Sequence, residues 1–209
     1  MKIPDASSVA RAAEEVVHAA QRAFSTGLQT NFGGNISARV AGADACVIKS
    51  TGGGFSEVTA DNLCLVTLDG EQIGGNGKPT SDLGIHLALY RFRSDIGGIA
   101  HVHSPWATGW ASAEREVPLR TVTVREKLGR FPLVPLAQGM ASQTAPQILA
   151  AIGGGGEPVK AALLARHGPI AFAASVWAAV QILELVEENA HIETVHAILS
   201  QATTNVGKS

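Results

Sequence analysis

Cysteine is nearly absent: Cys46 and Cys64 are the only two in 209 residues. They lie far apart, each inside an apolar run that reads as a strand. That placement argues against a disulfide framework or a thiolate zinc site and casts both thiols as core filler in a reducing compartment. Charge is scarce as well. Sixteen basic and eighteen acidic side chains leave a formal net charge of −2, without the basic excess that nucleic acid or an anionic membrane surface attracts. No apolar run reaches the roughly 18 residues of a membrane span. Glu14 and Glu15 interrupt the N-terminal stretch where a signal peptide needs an unbroken apolar core. The expectation is a cytoplasmic protein with neither nucleic acid nor membrane as partner. There is no P-loop, dinucleotide fingerprint or nucleophile elbow, and no internal repeat.

Alanine and glycine are plentiful, and the length suits one domain over residues 1–209 with a core of its own. Asp5 or Ser7 can cap a first helix with an apolar face through Val9, Ala13, Val16, Val17, Ala20 and Phe24, stopped by Gly27. Strands are expected at 35–40, 45–49 and 63–68, then a glycine-rich loop over Glu71 to Pro79. A helix starts at Ser81, with Asp82 in its first turn and Ile85, Leu89 and Phe92 at helical spacing. The strand Ile99 to His103 follows, and Ser104 should cap a short helix with Pro105 at its first position. Residues 114–135 carry no clear pattern. A helix around Gln143 to Ile152 and a loop from Gly153 to Glu157 precede strands at 160–165 and 170–173. Ser175 should cap a long helix to about residue 201, with a buried stripe through Val176, Ala179, Val180, Leu183, Val186, Ala190 and Val195, before a frayed tail from Thr203. This order reads as an α/β sandwich with helices packed on a central sheet.

Histidine carries the chemistry. Residues two apart on a strand project from one face at roughly 6.5 Å spacing, so His101 and His103 can share an ion, with Val102 turned to the core. Alone, this pair is also compatible with two half-exposed rings at a strand end. His167 adds a third candidate, followed by Gly168, which lets the backbone pass close to a bound group. Three neutral imidazoles leave a coordination position open, the pattern of a catalytic zinc site. Glu188 and His191 form an isolated Glu-x-x-His pair and read as surface or interface residues. Anion recognition needs backbone N–H groups in tight turns or at helix starts, helped by small hydroxyls. Gly33-Gly34-Asn35, Ser50-Thr51-Gly52-Gly53-Gly54 and Thr80-Ser81 offer such places, though each can also be an ordinary turn. Asp82 can serve either as a helix-dipole partner or as a site carboxylate.

Five stretches together resemble the class II aldolase/adducin family: Gly34-Asn35-Ile36-Ser37, Ser50-Thr51-Gly52, Pro79-Thr80-Ser81-Asp82, the run from Ile96 to Ser104 around His101-Val102-His103, and Arg166-His167-Gly168-Pro169. The resemblance covers about Asn31 to His191. It implies a three-layer α/β/α sandwich around a mixed, mainly antiparallel sheet. By the same likeness, His101, His103 and His167 would hold zinc or another divalent first-row metal. Asn35, Thr51, Gly52, Thr80 and Ser81 would bind the phosphate of a small phosphorylated sugar, and Asp82 would be the catalytic carboxylate. The implied reaction is retro-aldol cleavage of a ketose phosphate through a metal-stabilised enediolate in a homotetramer. The alternatives are a ribulose-phosphate 4-epimerase type of reaction and a noncatalytic adducin-like scaffold.

Two departures from the family pattern are legible. Aldolases of the family usually carry Glu where Asp82 stands, and the pentulose-phosphate epimerases carry Asp. Both draw on a C-terminal tyrosine, whereas Tyr90 is the only tyrosine here and lies on the helix after Asp82. Glu126 occupies the approximate place of the epimerases' further acid.

Overall fold

The computed structural model of the chain describes residues 4–136, 144–154 and 159–206. Its strands are β1 (Asn35–Arg39), β2 (Ala45–Lys49), β3 (Leu63–Thr67), β4 (Gln72–Gly75), β5 (Gly98–His101), β6 (Leu133–Val134), β7 (Ala161–Leu164) and β8 (Gly168–Ala173). They form one sheet in the order β4-β3-β2-β1-β5-β8-β7-β6. Every pairing is antiparallel except β6 with β7. The α-helices are α1 (Ala6–Ser25), α2 (Leu83–Phe92), α3 (Pro105–Ser112), α4 (Val122–Leu128), α5 (Ala145–Gly153) and α6 (Val176–Val206).

Strand alternation explains the layers. Val47, Ala161 and Leu163 face one apolar cluster with α1, α3, α4 and α6. Their chain neighbours Cys46, Ile48, Ala162 and Leu164 face a second cluster with α2 and α5. Both faces of the sheet are therefore covered, as the three-layer expectation requires. Cys46 and Cys64 are buried, unpaired core side chains, as expected.

Asp5 caps α1 by accepting the Ser8 N–H at 3.0 Å, and Ser175 caps α6 by accepting the Ala178 N–H at 3.2 Å. Ser104 makes no capping bond at α3. Glu187 on α6 replaces it, accepting the Trp106 and Ala107 N–H groups at 2.8 and 2.9 Å. A carboxylate there also complements the helix dipole.

Several expectations need correction. The glycine-rich loop contains β4, an edge strand paired to β3 across a register shift at Leu65/Val66. Its glycines carry no apolar alternation, so the pairing rests on backbone alone. The strand into the histidines ends at His101 rather than His103. Phe24 and Phe92 are exposed, and so is Val195 on α6. At 31 residues that helix is about 46 Å long, far longer than the four- and six-residue strands β5 and β8 on which it packs. Helix α5 begins at Ala145. Gln143, most of the loop to Glu157 and residues 207–209 lie outside the described residues, while 201–206 continue α6. The patternless stretch 114–135 holds α4 and β6.

The antiparallel register gathers the candidate residues at one end of the sheet. Asn35, at the start of β1, pairs with His101 at the end of β5, and His101 pairs with Ile170 on β8. The turn carrying His167 leads into β8 at this same end. Ser50 leaves β2 here and bridges to Pro79, which brings in Thr80 to Asp82.

Candidate metal centre

His101, His103 and His167 offer ring nitrogens that lie within 4.8 Å of one another. The Nε2 atom of His101 is 3.1 Å from that of His103 and 3.2 Å from that of His167. Nitrogens about 2.0–2.1 Å from one tetrahedral ion are separated by roughly 3.3 Å, so the spacing suits a shared cation. Tautomer chemistry supports the same fit. His101 Nδ1 lies 3.0 Å from the Pro169 carbonyl oxygen, which can only accept, so Nδ1 carries the hydrogen and Nε2 keeps its lone pair. One lone pair cannot accept hydrogen bonds well from two facing imidazoles, whereas three lone pairs can converge on a cation.

Burial keeps these rings neutral. It holds His101 well below the ordinary imidazole range, reinforced by His167 and His103. His103 is lowered by burial and by His167, and His167 by burial, with Asp82 opposing both shifts. Neutral imidazole is the form that binds metal.

The chain around His103 is tightly fitted. Its N–H donates to Gln29 Oε1 at 2.6 Å. Gln29 in turn donates from Nε2 to Asn31 Oδ1 at 2.6 Å, and that oxygen also accepts the Gly33 N–H at 2.9 Å. A Cβ on Gly33 would stand 2.3 Å from His103 Nδ1. Gly168, expected to make room for a bound group, makes room for the backbone at Val102. Its φ is +147°, and a Cβ there would meet the Val102 carbonyl oxygen at 2.5 Å.

A cavity of about 280 Å3 opens beside the histidines. Asn35, Thr51, Gly52, Thr80, Ser81, Asp82, His103 and His167 all line it, and His101 is buried behind them. Asp82 is 8 % exposed and does not cap α2. Its Oδ2 accepts a hydrogen bond from Asn35 Nδ2 at 2.7 Å. The dipole role open to Asp82 is thus joined by a side-chain partner that aims the carboxylate.

A family model described as the class II aldolase and adducin N-terminal domain matches residues 14–194. The chain belongs to the class II aldolase and adducin family. A curated relative, the 5-deoxy-D-ribulose 1-phosphate aldolase of Bacillus thuringiensis serovar kurstaki, is 34% identical over 179 residues, covering 86% of this chain and 82% of its own. Among solved structures, YgbL from Escherichia coli superposes with a TM-score of 0.78 at 28% identity, covering 90% of each chain. An L-fuculose 1-phosphate aldolase shares the fold, with a TM-score of 0.80 at 24% identity over 90% of this chain and 87% of that one.

Two residues of the site lie outside those the sequence singled out. Lys49 lines the cavity, and its ammonium is tied to the carbonyl oxygens of Ser50 and Gly52 at 3.1 and 2.8 Å. Burial lowers its pKa, with Glu57 opposing. A lysine directly before Ser50-Thr51-Gly52 was the available signal. The second is His86, whose place within a helix set it apart from the candidate ligands. It is fully buried between Asn35 and Ser37. Glu126 is exposed on α4, away from the cavity. Tyr90 is buried in the core. His191 stacks on Trp106 with ring centroids 4.1 Å apart, consistent with a surface role.

Proposed function

We propose that the chain is a metal-dependent sugar-phosphate aldolase that cleaves a ketose phosphate between its third and fourth carbons. The convergence of the three imidazoles beside the cavity that Asp82, His103 and His167 line carries this reading. His101, His103 and His167 would hold zinc or a similar divalent ion. Bound there, such an ion supplies a Lewis acid for negative charge gathering on the ketose oxygens as the bond breaks.

The other roles follow from the residues themselves. Gly52 brings a backbone N–H at φ +80°, while Thr51, whose own N–H donates to the Lys78 carbonyl oxygen at 2.7 Å, adds its hydroxyl to those of Thr80 and Ser81 near the start of α2; together they suit a phosphate. Lys49 adds a positive charge beside them. Asn35 aims Asp82 and keeps a second amide hydrogen that can reach the phosphate end. Asp82 takes the proton released during cleavage and returns it to carbon, with its Oδ2 pinned by Asn35.

The chain would work as a cytoplasmic homotetramer with sites at subunit boundaries, as the family resemblance implies. Phe32 at the cavity and Ile198 and Leu199 on α6 are 78, 62 and 61% exposed, and such apolar side chains support a covering subunit. No described helix is long and apolar enough to cross a membrane. Asp rather than Glu at position 82 favours 4-epimerisation as the second reading.

The test incubates zinc-loaded protein with 5-deoxy-D-ribulose 1-phosphate and with L-ribulose 5-phosphate. Release of dihydroxyacetone phosphate from the first supports the aldolase. Inversion of the second without release replaces it by the epimerase. Silence on both, with one zinc per chain bound, contradicts both readings.

A further inference from the structure

Behind Asp82 runs a line of buried side chains that the proposed reaction does not use directly. Asn35 Oδ1 lies 2.6 Å from His86 Nε2, His86 Nδ1 lies 2.7 Å from Ser37 Oγ, and Ser37 Oγ lies 2.7 Å from the Tyr90 hydroxyl. Ser37 and His86 are 0% exposed and Tyr90 is 1% exposed. Tyr90 is itself anchored: Arg39 donates to its carbonyl oxygen, and the Arg39 guanidinium lies over its ring, 4.8 Å from the centroid.

The direction of every bond in this line is determined by chemistry. An ionised Asp82 accepts only, so the Asn35 amide must turn its NH2 toward Asp82 and its oxygen toward His86. That oxygen accepts only, so His86 Nε2 carries a hydrogen. Burial pushes His86 down to about 3, so the ring is neutral and Nδ1 has a lone pair. Ser37 must then donate to Nδ1, and Tyr90 must donate to Ser37. Reversing any one bond would face two donors or two acceptors in a site closed to water.

We propose that His86, backed by Ser37 and Tyr90, is a positioning residue: as the Nε2–H tautomer it locks the Asn35 amide against flipping and so fixes the Asp82 carboxylate toward the cavity. Asn35 occupies Oδ2, which leaves Oδ1 as the oxygen that takes and returns the proton. The catalytic consequence rests on the reading of Asp82 as the proton carrier, but the bond directions do not.

The experiment compares zinc-loaded parent, His86→Leu and His86→Gln proteins on 5-deoxy-D-ribulose 1-phosphate. Leucine neither donates nor accepts. Glutamine can donate to Asn35 and accept from Ser37, with its N and O spaced much as the two ring nitrogens are. His86→Leu should lower kcat by about 10- to 100-fold, with KM changed less than about 2-fold and zinc content unchanged, and His86→Gln should restore most of the lost rate. Separately, 15N NMR of histidine-labelled parent should show His86 protonated at Nε2 and bare at Nδ1. The opposite tautomer overturns the proposal. So does parental kcat in His86→Leu, or equal slowness of both variants when circular dichroism matches the parent. Should the parent cleave no sugar phosphate, the reaction reading fails by itself, and the tautomer still decides the bond chain.

Discussion

Asn35 and Asp82, 47 residues apart in sequence, meet through a 2.7 Å hydrogen bond from amide to carboxylate. One sits at the start of β1 and the other at the start of α2. The bond places the carboxylate in the cavity that His103 and His167 also line, so the metal candidates and the proposed proton carrier belong to one site.

Replacing Asp82 by Asn keeps an acceptor for Asn35 but removes the base. The Asp82→Asn protein should bind zinc at the parental stoichiometry while kcat falls by about 100- to 10,000-fold. Steady-state kinetics beside metal analysis checks this, and undiminished kcat would remove Asp82 from proton transfer.

Gly33 permits the His103 ring to sit where it does. Gly33→Ala forces a Cβ to within 2.3 Å of His103 Nδ1 unless something shifts. Zinc affinity should fall by about 10- to 100-fold, as read by competition with a chromogenic chelator. Parental affinity would mean that the ring position is not fixed by this contact.

Lys49 places charge beside the Thr51-Gly52 turn. For Lys49→Met, losing a charged contact worth about 1.5–3 kcal/mol should raise KM for the ketose phosphate by about 10- to 150-fold, with kcat little altered, the signature of lost uniform binding. A fall in kcat at constant KM would contradict the phosphate role.

His86 also makes a pH prediction. Its folded value near 3 lies below the ordinary 6.5, so the unfolded chain binds one more proton between those limits. Its contribution to stability is complete above pH 6.5 and is lost as pH falls toward 3. The neighbours facing it are Asn35, Ser37, Tyr90 and, at longer range, His101 and Asp82. Metal-free parent should lose about 1.4 kcal/mol per pH unit more than His86→Gln across this window. Denaturant melts at several pH values measure it, and parallel slopes would contradict a buried neutral ring.

Much of this was legible in the residues. The apolar runs of β2 and β7 and the capped helices α1 and α6 predicted helices packed on a central sheet, and the family resemblance implied the three layers and grouped His101, His103 and His167 as candidate ligands. Edge strand β4 was hidden, because glycines pair through backbone and leave no side-chain pattern. The exposure of Phe24 and Val195 was hidden too, since periodicity marks a helix face but not where its neighbours end. His86 escaped for a different reason: nothing local distinguishes a buried histidine on α2 from a surface one, and its partners Asn35 and Ser37 lie on another element.

The most direct measurement is the zinc content of purified parent and His103→Ala proteins by inductively coupled plasma mass spectrometry, with circular dichroism to confirm the fold. One zinc per parent chain and almost none in the variant is the expected result. Equal zinc in both would contradict a cation held jointly by the three histidines.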